Sequence, residues 1–276
     1  MHTVLRPRAI AREPILSVSQ TIHRERVLLA GWGRAILLQL AHPMVARGVA
    51  EHSAFTTEPW GRARRLHRTL RAMLALTFGS EAEAAAVAAR INAIHDRVNG
   101  RLGRPAGGVH AGTPYSAHDA ALLAWVHATL LDSFLQAYRL FVGALGADEA
   151  DRYCAEASGI EHRLGIPTGQ LPRTEDALRA YLASTLASGA IEVTDEARGL
   201  AREVLDPPVP RPLRPIFRLT TLPAVGLLPP AVREAYGLPW SPGRQRLLTA
   251  LAAVSRASLP WLPSPLRYWA AARRAP

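Results

Sequence analysis

The sequence has no lysine, and all 33 of its basic residues are arginine. A Walker phosphate loop and a pyridoxal or aldolase Schiff base both require lysine, so these chemistries are excluded. The chain has a single cysteine, Cys154, which excludes an internal disulfide and any zinc or iron–sulfur site built from several cysteines. Such low cysteine usage is typical of a protein from a reducing compartment.

The sequence also lacks a segment that resembles a leader or a membrane span. Residues 1–14 carry arginines but neither an apolar core nor a small-residue cleavage site, so no signal peptide is predicted. The longest apolar stretch, Ala120–Ala147, is interrupted by His127, Asp132 and Arg139, whereas a transmembrane helix needs about 20 consecutive apolar residues. We therefore expect a soluble, cytoplasmic protein.

The formal net charge of +11 suggests nucleic acid or an anionic membrane as a partner. A uniform replacement of lysine by arginine, however, is more typical of codon bias across a genome than of a binding surface. We therefore predict no nucleic-acid partner. The sequence does not indicate the oligomeric state.

Helix-forming residues dominate from Thr21 to about Leu205, and alternating β-branched runs are missing there. The sequence therefore predicts an all-α multi-helix bundle without strands. It divides into an N-terminal extension (1–20), a helical domain (21–206) and a proline- and arginine-rich C-terminal arm (207–276).

Dense proline distinguishes the C-terminal arm from the rest of the chain. Because proline interrupts helices, we expect only short helices there, near Pro230–Tyr236 and Gly243–Ala257. These helices are predicted to pack against the main domain.

Two helices can be bounded from the sequence. Ser80 and Glu83 have the spacing of a capping box, which predicts a helix over Glu81–Asn99 closed by Gly100. Its apolar residues recur at helical spacing and predict a core-facing stripe of Val87, Ile91, Ile94, His95 and Val98.

A second and more apolar helix is predicted from about Ser116 to Leu145. Apolar side chains occupy most of one face of it, which is typical of the central helix of a bundle. His127 shares that face, so its ring is expected to be buried.

Histidines in apolar surroundings are the main chemical signal, because standard dinucleotide, serine-hydrolase, zinc-protease and di-iron motifs are missing. The four are His42, His52, His95 and His127. Any one of them can be a hydrogen-bonded core residue. Together, inside a helical bundle, they are also compatible with a haem held by one neutral imidazole.

An ordered series of motifs resembles the catalytic domain of the rubber oxygenase (latex-clearing protein) family, which also includes the oxygenase of the mycophenolic acid pathway. The resemblance runs from about Glu25 to Leu205. The series comprises Gln39-Leu-Ala-His-Pro43, Gly48-Val-Ala-Glu-His-Ser53, Arg65 with Thr69, Phe78-Gly79, Ile94-His95 with Val98 and Gly100, Tyr115-Ser-Ala with Asp119, and Trp125-Val-His-Ala128.

This resemblance implies an all-α fold with a globin-like core around haem b. It implies that His95 is the axial iron ligand and that dioxygen cleaves an olefinic carbon–carbon bond of the substrate. Arg65 and Thr69 match distal residues of the family, and Arg68 occupies the position of a family lysine. Glu51 lies near the position of a catalytic carboxylate. Arginine stays protonated, so Arg68 cannot replace lysine as an iron ligand.

The spacing of Arg65, Arg68 and Thr69 places all three on one face of a helix. Such a face can hold haem propionates or polarise bound dioxygen, but it can equally be a solvated arginine cluster. His127 has two similar interpretations, as a residue that contacts the cofactor or as a packing residue of the core.

Three hypotheses follow. The first is a haem b-dependent oxygenase that acts with dioxygen on a small apolar substrate, which is unsaturated if the resemblance extends to the chemistry. The second is a cofactor-free helical protein that kept the fold without the chemistry. The third adds peripheral membrane contact through the basic, tryptophan-containing segment Trp240–Arg274.

Overall fold

The computed structural model describes residues 16–52, 61–206 and 211–274, without the side chains of 61–65 and 213–216. Helices dominate these residues, so the predicted all-α class is confirmed; the globin-like character of the core stays a prediction. The α-helices are α1 Val18–His23, α2 Leu29–Leu40, α3 Pro43–His52, α4 Gly61–Phe78, α5 Glu81–His95, α6 Ala120–Phe141, α7 Ala147–Ala157, α8 Glu161–Leu164, α9 Glu175–Ala187, α10 Asp195–Leu205, α11 Arg214–Gly226, α12 Pro230–Ala235, α13 Pro242–Ser258 and α14 Ser264–Arg267. Short 3₁₀ turns lie at Arg26–Leu28, Ser158–Ile160, Arg211–Leu213 and Leu259–Trp261.

The core is organised around α2 and α6, which pack along each other. Small residues permit this close approach: a Cβ added at Gly31 would lie 2.6 Å from the carbonyl oxygen of Ser133. The predicted long central helix is confirmed as α6. It begins after Asp119, whose carboxylate accepts hydrogen bonds from the backbone N–H groups of Ala121 and Leu122.

By length and composition, α6 could cross a membrane. Two thirds of its most apolar window, however, is buried inside the fold, as in the core helix of a bundle.

The C-terminal arm contributes to the core through α11, which packs on α2, and through α13, which packs on α11 and α6. The two helices predicted in the arm are present as α12 and α13. The expectation that only short helices form there is wrong, because α13 has 17 residues and α11, which was not predicted, has 13. Pro230 and Pro242 each stand at the first position of their helix, where the missing N–H is not needed, whereas Pro223 lies inside α11.

The capping box of Ser80 and Glu83 opens α5 as predicted. The helix ends four residues earlier than expected, at His95, and Gly100 lies in a strand instead of closing it. The prediction of a fold without strands is also wrong: β1 (Asn99–Arg101) pairs antiparallel with β2 (Pro114–Ser116). Strands of three residues are too short to show an alternating pattern in sequence.

The predicted core-facing stripe of α5 is only partly formed. Its two buried side chains are Ala84 and Ala88, whereas Ile94 is 48% exposed. The small alanines set the packed face, since α5 contacts α4 and α8 rather than the central pair.

Candidate functional site

His95 closes α5, and its ring is half-buried. Its Nδ1 is buried and has no hydrogen-bond partner among the residues that the structure describes. The ring of His118 lies edge-on to it at 5.7 Å between centroids, and His118 Nε2 is 2.8 Å from Asp96 Oδ1. Burial lowers the pKa of His95, the neighbouring His118 lowers it further, and Asp96 opposes the shift. The imidazole is therefore held in its neutral form.

Glu51, near the end of α3, is fixed by two donors. The hydroxyl of Tyr115 on β2 donates to Oε2, and the guanidinium of Arg47 donates to Oε1. Arg47 also donates to Glu196 at the start of α10, at 2.6 Å. Burial raises the pKa of Tyr115, and so does its hydrogen bond to Glu51. Tyr115 therefore stays protonated, and its hydroxyl donates a hydrogen bond to the carboxylate of Glu51.

This arrangement depends on a glycine. A Cβ at Gly100 would lie 2.7 Å from the hydroxyl oxygen of Tyr115 and 2.9 Å from Oε2 of Glu51. His52 adds a second link between α3 and the hairpin, because its Nε2 lies 3.0 Å from the carbonyl oxygen of Asn99. The structure thus brings Glu51 to the hairpin that directly follows His95.

Sequence reasoning did not assign a role to Tyr115 or Arg47. Tyr115 and Gly100 both belong to the motif series, which was the available signal. The i,i+4 spacing of Arg47 and Glu51 was an available signal for their pairing, whereas Glu196, the other partner of Arg47, lies 149 residues away and gave none.

Arg68 and Thr69 lie on α4, and both are exposed. Arg65 is in the same helix, but its side chain lies outside the described residues. The two-residue turn Gly79-Ser80 makes α4 and α5 neighbours. Arg65 and His95 are each about 20 Å from that turn, by the helical rise per residue. The backbone therefore allows the arginine face of α4 to stand near His95.

His127 lies on α6. Among the described residues its Nε2 is buried without a hydrogen-bond partner, and burial lowers its pKa to about 4. Burial also lowers the pKa of His23 on α1 to about 4, and the charge of His127 is a smaller cause in the same direction. No described contact joins His127 to His95, so both of its predicted roles stay open.

The tautomer of His23 follows from its neighbours. The hydroxyl of Thr77 donates a hydrogen bond to the carbonyl oxygen of Met73, so Thr77 Oγ1 must accept one from His23 Nδ1–H, at 2.8 Å. His23 Nε2 then accepts from the hydroxyl of Tyr153, also at 2.8 Å. This chain of hydrogen bonds links α1, α4 and α7 inside the fold.

Among the residues that the structure describes, no three His, Cys, Asp or Glu side chains gather as a metal site. His42 resembles His95 in that its Nδ1 is buried and unpartnered, and burial lowers its pKa while Asp119 opposes the shift.

A groove of about 850 Å³ opens beside the Glu51 network, between α3, α10 and α12. Arg47 and Glu196 line it, and so do apolar side chains that include Pro43, Leu102 and Val193. The groove therefore reaches the guanidinium that fixes Glu51.

The structure defines an all-α protein in which the neutral imidazole of His95 precedes the β1–β2 hairpin. The carboxylate of Glu51 is fixed against the same hairpin by Tyr115. The family model described as ER-bound oxygenase mpaB/B'/rubber oxygenase, catalytic domain, matches residues 20–257, and the chain belongs to this family. The predicted family is confirmed, and the match extends further into the C-terminal arm than the resemblance did. A search of curated proteins found no match, and a search of solved structures also found none.

Proposed function

We propose that the protein is a haem b-dependent oxygenase that uses dioxygen on a small apolar, unsaturated substrate. Membership of an oxygenase catalytic-domain family supports the reaction class. One observation supports haem as the cofactor: the imidazole of His95 is neutral and half-buried, and its Nδ1 has no hydrogen-bond partner among the described residues.

The residues around His95 fit a haem. A buried nitrogen without a hydrogen bond costs about 1–3 kcal/mol. Because His95 Nδ1 has no hydrogen-bond partner among the described residues, no other group holds this nitrogen in place there. Haem iron can be held by a single protein ligand, and a histidine that binds it does so as neutral imidazole. Among the described side chains of α4, residues 66–78, none is fully buried, although Leu70 and Met73 pack against the core. The described residues therefore leave part of the apolar surface of this helix exposed.

His95 would hold the haem, and Arg68 with Arg65 would pair with its propionates from α4. When bound, haem would supply the redox-active iron that dioxygen chemistry requires. Thr69 follows Arg68 in α4, and its hydroxyl would orient a polar group at the same face of this helix.

Glu51 would serve as the proton acceptor of the reaction. Arg47 and Tyr115 hold its carboxylate in place, so its position needs no reorganisation when substrate binds. The adjoining groove, with apolar walls beside Arg47, would admit an apolar substrate.

The test is the absorption spectrum of protein expressed with a haem supply, recorded with and without dithionite. We expect a Soret band that shifts on reduction in the wild type and is lost in His95→Ala. His118→Ala is the matched control, because it removes the neighbouring imidazole and should keep the band. A His95→Ala spectrum identical to that of the wild type would contradict the assignment.

A cofactor-free protein is the alternative, and the arginine at position 68 supports it, since the family has a lysine there. Its signature is a wild type without any Soret band that nevertheless folds with a cooperative transition. Glu51→Gln separates the roles further: it should keep the haem spectrum and lose turnover with an olefinic substrate.

A further inference from the structure

The C-terminal arm carries most of the charge of the protein. Residues 207–276 contain ten arginines and one acidic residue, Glu234, so they contribute +9 of the net charge of +11. Residues 235–276 contain no acidic side chain. The positive charge is thus concentrated in the arm, and residues 235–276 form the longest stretch of the chain without an acidic residue.

The same segment exposes its largest apolar side chains. Trp261 is 87% exposed, Val254 64% and Leu266 62%, and Leu247 and Leu262 are exposed as well. Leu247, Val254 and Trp261 recur every seven residues along α13 and the 3₁₀ turn that continues it, so they form one stripe.

This exposed stripe lies opposite the packed face of α13. The packed face is formed by Leu248 and Ala252, which are 2% and 0% exposed. The helix therefore has one apolar face for the core and a second for an outside partner. Arg246, on the exposed side of the same helix, flanks the stripe.

The exposed side chains are held outward by a firmly anchored segment. Arg267, next to Leu266, makes hydrogen bonds of 2.6–3.0 Å to the carboxylate of Glu25, which is 1% exposed. The backbone N–H of Trp269 donates to the carbonyl oxygen of Arg24. Leu266 is therefore exposed on a fixed element and not on a loose end.

We propose that the stripe of Leu247, Val254 and Trp261, together with the exposed Leu262 and Leu266 that follow it in the chain, docks on the surface of an anionic lipid bilayer. Tryptophan and leucine enter the boundary between headgroups and acyl chains, and arginines pair with lipid phosphates. The concentration of positive charge around the stripe favours a negatively charged surface over a second copy of this chain, which would bring two such arms together. This docking is independent of the proposed cofactor.

The experiment is flotation of the purified full-length protein with vesicles of phosphatidylcholine alone or mixed with phosphatidylglycerol. We expect binding to the mixed vesicles at low salt, weak binding to phosphatidylcholine, and loss at high salt. The double variant Trp261→Ser with Leu266→Ser should bind at least about tenfold more weakly. Arg246→Gln should weaken binding about fivefold.

Leu219→Ser is the matched control, since Leu219 is an exposed leucine of α11 outside the stripe. It should bind like the wild type, and circular dichroism should show that each variant is folded. Equal binding by the wild type and the double variant, or no binding to either vesicle, would overturn the proposal. A dimer in light scattering that the double variant dissociates would overturn it as well, because a second copy would then cover the stripe.

Discussion

The central pair α2 and α6 and the hairpin α4 and α5 are packed in different ways. Most of the side chains of α2 are buried, and α6 buries even the charged Asp132 against Arg34. In contrast, α5 buries only two alanines, and the described side chains of α4 include none that is buried. The chain completes its own core at α2 and α6. At α4 and α5 the described residues leave apolar side chains partly exposed.

The largest predicted effect tests the packing of α2 against α6 through the buried ion pair that joins them. Arg34 Nη2 lies 2.6 Å from Asp132, and the same guanidinium donates to Ser133 and to the carbonyl oxygen of Leu227. Asp132→Ala leaves a buried, unpaired cation and should cost about 3–5 kcal/mol in the free energy of unfolding. Urea denaturation measures this.

The exposed pair of Arg179 and Asp176 provides its control. Arg179→Ala should leave the free energy of unfolding nearly unchanged, because this ion pair is exposed to solvent. An equally small effect of Asp132→Ala would show that the core is not packed as closely as described.

The second prediction concerns the stability of the fold at low pH and the imidazoles of His23 and His127. His23 and His127 have folded pKa values of about 4, against an ordinary value of 6.5. The unfolded chain therefore takes up protons at higher pH than the folded one. Stability is complete above about pH 6.5 and falls as the pH drops toward 4, by up to about 3 kcal/mol for each ring.

The variant His127→Phe sharpens this prediction, because it removes one titrating ring and an unpartnered nitrogen. Its stability should fall less steeply between pH 6.5 and 4 than that of the wild type, in denaturation curves collected across this range. Two parallel pH profiles would refute the assignment of the acid sensitivity to this residue.

The third prediction tests close approach at the central pair. Gly31→Ala places a methyl group 2.6 Å from the carbonyl oxygen of Ser133, so α2 and α6 must separate. We expect a cost of about 1–3 kcal/mol, visible as a lower melting temperature. Gly159→Ala is the control, as no atom lies within 4 Å of its Cβ, and it should leave the melting temperature nearly unchanged.

The smallest predicted effect is on α4, whose described side chains include none that is fully buried. Leu76→Ala on α4 should cost about 1 kcal/mol or less without cofactor, because Leu76 is only half-buried. Leu38→Ala on α2, where the side chain is 1% exposed, should cost about 2–5 kcal/mol. Equal costs in thermal unfolding would remove the contrast between the two regions. A melting temperature of the wild type that rises with added haem would sharpen it.

Several features of the fold could be predicted from sequence because their causes are local. The capping box of Ser80 and Glu83 and the long apolar run of α6 each lie within a few turns of chain. The motif series that identified the family also included Gly100 and Tyr115, although their contact with Glu51 was not predicted. The strands β1 and β2 were missed because their pairing joins residues about 15 positions apart.

The sequence alone determined that the chain is helical, where its clearest helix begins, and to which family it belongs, since caps, periodicity and ordered motifs act along the chain. Only the tertiary structure decided that Tyr115 and Arg47 fix Glu51, that His23 is part of a buried hydrogen-bond chain, and that α13 has a second apolar face. These outcomes depend on burial and on partners distant in sequence. A linear pattern does not specify which surfaces meet.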